Sequence, residues 1–130
     1  MAEAIARARF AGKDGDLFFI SAGIAAAEGA PASTQALATL SCRGITRHGQ
    51  ARQLTTEMAM GADLVLCMTG GHLMAVEAML GDQADDVMLA LLDPQGDDIG
   101  DPIGGSEQLY AAVADAMEPM IDHWINQDSF

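Results

Sequence analysis

Asp63-Leu64-Val65-Leu66-Cys67-Met68 is an apolar run with no polar alternation. A strand with that pattern is covered on both faces, because a half-exposed strand alternates apolar and polar residues. Val87-Met88-Leu89-Ala90-Leu91-Leu92 repeats the pattern, and Leu17-Phe18-Phe19-Ile20 is a shorter apolar run between Gly15-Asp16 and Ala22-Gly23. Helix-like segments separate these runs. The alternation predicts an α/β fold, a doubly wound parallel sheet with helices on both faces. Right-handed crossovers are expected, and ligands bind at the carboxyl ends of the strands in such folds. The loop after Leu92 lies at that end.

The helices are marked by composition and caps. Residues 1–11 are Ala-rich, with Gly12 near a plausible end. A small-residue loop over 24–31 closes at Pro31, and Ser33 or Thr34 can cap a helix carrying Ala36, Leu37 and Leu40, with Gly44 near its end. Residues 45–54 read as a polar connection with His48 and Arg52. Thr55 or Thr56 can cap a short helix ending at Gly61, and residues 72–80 form a helix stopped by Gly81. Ser106 and Glu107 open a last helix whose Leu109, Val113, Met117, Met120 and Trp124 recur at three- and four-residue steps. Pro119 is expected to kink or split it.

The 130 residues read as one domain, with half the residues hydrophobic and no apolar run of the about 18 residues that a membrane helix needs. Glu3, Arg7 and Arg9 interrupt any signal-peptide core, so the cytoplasm is the expected location. Nineteen acidic residues against six basic ones give a net charge of −13, which repels nucleic acid and anionic membranes. The same charge repels a phosphorylated ligand at long range. A phosphate site must then rest on local donors: backbone N–H groups, a helix amino end and an arginine. An Asp-rich chain with one lysine also suits a high-salt interior, where screening weakens self-repulsion.

Cys42 and Cys67 have no Cys-x2-Cys spacing, and no residue cluster suggests a metal or other cofactor. Cys67 reads as a small buried hydrophobe and Cys42 as a helix-surface or packing residue. The nine methionines read as core filler, Trp124 as a core anchor, and His123 as solvated. Asp93-Pro94 and Asp101-Pro102 are turn signals, with Asp97 and Asp98 as solvated loop charges. Arg52 is either an inward partner for a carboxylate or a surface charge. His72, at a helix start, reads as a surface or capping residue.

Five segments occur in an order that resembles the low-molecular-weight protein-tyrosine phosphatase family. They are Met1-Ala2-Glu3-Ala4, Ile20-Ser21-Ala22-Gly23, Ala51-Arg52-Gln53-Leu54-Thr55, Ala62 through Met68, and Asp101-Pro102 with Gly104-Gly105-Ser106. The resemblance implies hydrolysis through a phosphocysteine, with Asp101 as general acid and then general base. It places Pro102, Ile103 and Gly104 against the substrate. Ser21, His48, Arg52, Thr69 and His72 become supporting residues of the phosphate loop. The implied ligand is a phosphorylated protein or a small phosphomonoester, with no metal.

In that family a Cys-x5-Arg-Ser-Pro loop precedes the helix that begins Met-Ala-Glu-Ala. The expectation is therefore that a first central strand and the nucleophile loop are missing ahead of Met1, and that residues 1–130 are inactive alone. Neither cysteine replaces the nucleophile: Cys42 has Arg43 beside it, and no basic residue follows Cys67. Ile103, Gly104 and Ala27 stand where aromatics flank a phosphotyrosine ring, which resembles the bacterial branch that includes protein-arginine phosphatases. That branch carries Thr and His at positions like Thr69 and His72. His48 lies one residue earlier, relative to Arg52, than the family's supporting histidine. Two other readings are a non-catalytic phosphatase-like binding protein and an arsenate reductase. The latter needs two further redox cysteines, and residues 69–130 contain none.

Overall fold

Val65–Cys67 (β1) and Leu89–Leu91 (β2) pair in parallel, with Val65 opposite Leu89 and Cys67 opposite Leu91. The structure is a computed structural model that describes residues 1–10, 19–23, 34–45, 52–100 and 105–125. Beyond the strands the pairing continues: Leu92 N–H donates to the Cys67 carbonyl and Ile99 N–H to the Met68 carbonyl, both at 2.8 Å.

Successive strand residues face opposite ways, and this sorts the apolar run into two layers. Leu66, Met68 and Leu92 join one core cluster, built on Ala4 and Ile5 of α1 (Ala2–Phe10), Leu40 of α2 (Thr34–Cys42) and Ala114, Met117 and Ile121 of α5 (Glu107–Ile125). Val65, Cys67, Leu89 and Leu91 join the other, with Ala59 of α3 (Thr56–Met60) and Val76 and Leu80 of α4 (Gly70–Leu80). Helices therefore cover both faces of a parallel sheet, as the unalternating strands require. Met1 and Ala2, at the amino end of α1, pack against the same cluster as Met68 and Ile99.

Local chemistry sets the helix ends. Thr55 caps α3 by accepting from Met58 N–H at 3.2 Å, and Gly61 N–H closes it on the Glu57 carbonyl at 3.0 Å. Gly81, at φ +58°, ends α4 in a conformation that favours glycine. Ser106 caps α5 by accepting from Leu109 N–H at 3.2 Å. After Leu92, Asp93 accepts from Gln95 N–H through its side chain and from Gly96 N–H through its carbonyl, both at 2.9 Å. The Asp-Pro-Gln-Gly sequence suits such a turn, with Asp first, Pro second and Gly last.

Several expectations are corrected. Phe19 and Ile20 are not in a strand, and Ile20 is 53% exposed; Leu17 and Phe18 lie outside the described residues. Backbone pairing comes just after, where Gly23 bridges Gln53 in parallel. An apolar run of four cannot by itself specify which residues find a ladder partner. Residues 81–86, unassigned by the sequence, form a 3-10 helix. α5 runs through Pro119 unbroken. The proline forfeits a bond to the carbonyl of residue 115, but both positions are exposed, and the buried face continues on either side at Met117 and Ile121. That face is Tyr110, Ala114, Met117 and Ile121, with Val113, Met120 and Trp124 at its border, so Leu109 falls outside and is exposed. Methionine is not uniformly core filler: Met60, Met74, Met79 and Met88 are exposed, while Met117 is buried.

Candidate active site

The carboxyl end of β1 carries the densest polar geometry near the expected site. Thr69 follows the strand in extended backbone, and its Oγ1 accepts from His72 N–H at 3.1 Å, capping α4. The first N–H of the helix, on Gly70, is taken by Asp98 Oδ1 at 2.8 Å. Next to it, Ile99 N–H holds the Met68 carbonyl. The loop after β2 is thus fixed at two consecutive residues, Asp98 to the start of α4 and Ile99 to the end of β1.

A second support comes from α1. The Arg7 guanidinium donates through Nε and Nη2 to the Phe19 carbonyl, at 3.2 and 2.7 Å. Glu3 lies 3.8 Å from the same guanidinium. Four residues beyond Phe19, Gly23 N–H donates to the Arg52 carbonyl and the Gly23 carbonyl accepts from Leu54 N–H, both at 2.8 Å. Ser21 lies between these two anchors, with its side chain exposed. Arg52 is exposed, and among the described residues no carboxylate pairs with it. His72 is exposed on α4, and its ordered contact is through the backbone. Asp101, Pro102, Ile103, Gly104 and His48 lie outside the described residues. The described geometry thus joins Arg52 to Gly23, two residues beyond Ser21, in one backbone bridge, and Thr69 to His72 in one helix cap.

Asp98 is the residue that sequence reasoning missed. It reads as a solvated loop charge, and only the approach of the loop to α4 reveals its carboxylate as a helix cap. An acid near a helix amino end is favoured, but 28 positions separate Asp98 from Gly70, so no local pattern announces it.

Cys67 is buried, and burial pushes its thiol pKa up, with the nearby Glu77 charge adding to the effect. A buried, protonated thiol is a poor nucleophile. Cys42 is exposed at the end of α2. Among the described residues no group of His, Cys, Asp and Glu could hold a metal ion. None of the described helices is long and apolar enough to cross a membrane.

A parallel sheet covered by helices on both faces is the architecture of the phosphatases that the sequence resembles. The chain matches the family described as low molecular weight phosphotyrosine protein phosphatase over residues 1–128, and it belongs to that family. A protein-arginine-phosphatase of Geobacillus stearothermophilus is 39% identical over 106 residues, covering 78% of this chain and 70% of the relative. The low molecular weight protein tyrosine phosphatase of T. tengcongensis superposes with a TM-score of 0.86 at 32% identity, over 95% of this chain and 86% of that one. A YwlE arginine phosphatase, a mutant with a phosphorylated active-site serine, superposes with a TM-score of 0.89 at 26% identity, over 98% and 88%.

Proposed function

We propose that this chain, when it carries the family's Cys-x5-Arg-Ser-Pro loop, is a phosphatase that hydrolyses phosphorylated protein, or a small phosphomonoester, through a phosphocysteine with Asp101 as the acid. In the first step a thiolate bonds to phosphorus as the bond to the leaving group breaks, and Asp101 gives its proton to that group. In the second, water attacks the phosphocysteine, Asp101 takes a proton from the water, and the thiolate departs. A carboxyl group beside a phosphate dianion is held in its protonated form by like charge, which suits the first step. The phosphorylated serine at the active site of the YwlE mutant supports a nucleophile that carries the phosphoryl group.

The observation that carries this reading is the Ile99–Met68 backbone bond. It fixes Ile99 at the carboxyl end of β1, the end of the sheet where folds of this kind bind their ligands. Phosphoarginine is the favoured substrate. Non-aromatic Ile103 and Gly104 remove the walls that would stack on a tyrosine ring, and the relative of 39% identity is a protein-arginine-phosphatase. The cytoplasm is the proposed compartment, and the charge of −13 disfavours nucleic acid and anionic membranes as partners.

The polypeptide of residues 1–130 has no Cys-x5-Arg sequence, and the Cys67 thiol is buried with a raised pKa. It is expected to turn over no substrate by itself. The test compares hydrolysis of para-nitrophenyl phosphate by this polypeptide and by a form of it preceded by a Cys-x5-Arg-Ser-Pro loop, with and without iodoacetamide. Turnover confined to the form that carries the loop and abolished by alkylation supports the reading. Turnover that survives alkylation but is lost in Asp101→Ala contradicts the cysteine mechanism. No turnover by either form leaves the non-catalytic, phosphatase-like alternative.

A further inference from the structure

We infer that Asp98 is a positioning residue for the acid loop, an assignment that rests on the proposed role of Asp101. Its carboxylate Oδ1 accepts from Gly70 N–H at 2.8 Å, while the next residue, Ile99, donates its N–H to Met68 at 2.8 Å. Consecutive residues of one loop are therefore tied to consecutive elements, the end of β1 and the start of α4. The backbone bond alone sets a hinge; the side-chain bond adds a second point and stops rotation about it.

Asp98 takes a vacant donor. The first N–H groups of a helix have no partner within it, and the Thr69 hydroxyl serves His72, not Gly70. A carboxylate is the best acceptor there, since the helix amino end carries partial positive charge. The loop after the turn at Asp93–Gly96 has no apolar anchor before Ile99. Ile99 packs against the α1–α5 cluster, and beyond it Gly100 has open space where a side chain would stand, so Gly100 itself adds no packing anchor. Placement of a general acid is sensitive to such tethering, because a displacement of about 1 Å can cost about 100-fold in rate.

Two measurements test this. In residues 1–130, Asp98→Ala accelerates amide exchange at Gly70 and Ile99 while α5 keeps its protection, and Asp98→Asn, which retains an acceptor, restores most of it. Unchanged exchange at Gly70 in Asp98→Ala overturns the inference whatever the activity. In a form of the chain preceded by a Cys-x5-Arg-Ser-Pro loop, turnover of phenyl phosphate, a poor leaving group, is compared with para-nitrophenyl phosphate, a good one. Asp101→Asn loses about 100-fold or more on the poor leaving group and much less on the good one, as removal of a general acid requires. Asp98→Ala shows the same selectivity at about tenfold, and Asp98→Asn recovers it. Selectivity in Asp101→Asn without any in Asp98→Ala overturns this inference alone. Absence of selectivity in Asp101→Asn, or of any turnover in the parent, overturns the acid assignment and this inference with it.

Discussion

The Trp124 indole Nε1 donates to the Leu92 carbonyl at 2.7 Å, joining the last turns of α5 to the end of β2. Leu92 is buried, so its carbonyl has little water to fall back on. Trp124→Phe keeps an aromatic ring in the cluster but removes the donor. The expected cost is about 1–3 kcal/mol, the penalty of stranding a buried acceptor. Urea unfolding followed by circular dichroism measures it. Tryptophan fluorescence cannot, because Trp124 is the only tryptophan.

Methionine substitutions should separate sharply by location. Met117 is 2% exposed at the centre of the α1–α5 cluster, and Met117→Ala is expected to cost about 2–5 kcal/mol. Met74 is 70% exposed on α4, and Met74→Ala should change stability by no more than about 0.5 kcal/mol. Denaturation midpoints of the two variants provide the comparison.

Burial raises the Cys67 pKa, and the sign of the pH dependence follows. The unfolded thiol ionises near its ordinary value, about 8.5, while the folded thiol keeps its proton to higher pH. Above that value the unfolded state has fewer protons bound, so stability is flat below it and falls as pH rises. Cys67→Ala should flatten the alkaline side of the stability profile. A wild-type profile that does not fall over that range would show that the thiol is free to ionise in place.

Glu118 lies between two guanidiniums, 3.8 Å from Arg9 and 3.3 Å from Arg43, while Arg9 also pairs with Asp122 and Arg43 with Asp115. These pairs link α1 and the end of α2 to α5. They are partly exposed, so each contributes about 0.2–1 kcal/mol and weakens with salt. Self-repulsion at a net charge of −13 acts the other way and is relieved by salt. The diffuse repulsion should outweigh a few surface pairs. Raising NaCl to about 1 M, where the screening length is about 3 Å, is expected to increase the melting temperature. A decrease would show that the ion pairs dominate.

Much of the architecture was legible because its causes are local. The unalternating runs around Leu66 and Ala90 require cover on both faces, and the two core clusters supply it. Thr55 and Ser106 cap where short polar side chains precede helix formers. What was not legible depends on approach across the fold. The Asp98–Gly70 bond, the Arg7–Phe19 bond and the Glu118 network join residues far apart in sequence. Val113, Met117, Met120 and Trp124 of α5 meet the core at the expected spacing, but Leu109 does not, and Tyr110 and Ala114 are buried instead.

The most direct measurement is a crystal structure, with phosphate bound, of the chain preceded by a Cys-x5-Arg-Ser-Pro loop. It should place the anion between the amino end of α1 and the Asp101 carboxylate, with a cysteine sulfur in line with phosphorus. A phosphate bound elsewhere, or an Asp101 carboxylate turned away from the amino end of α1, would contradict the account.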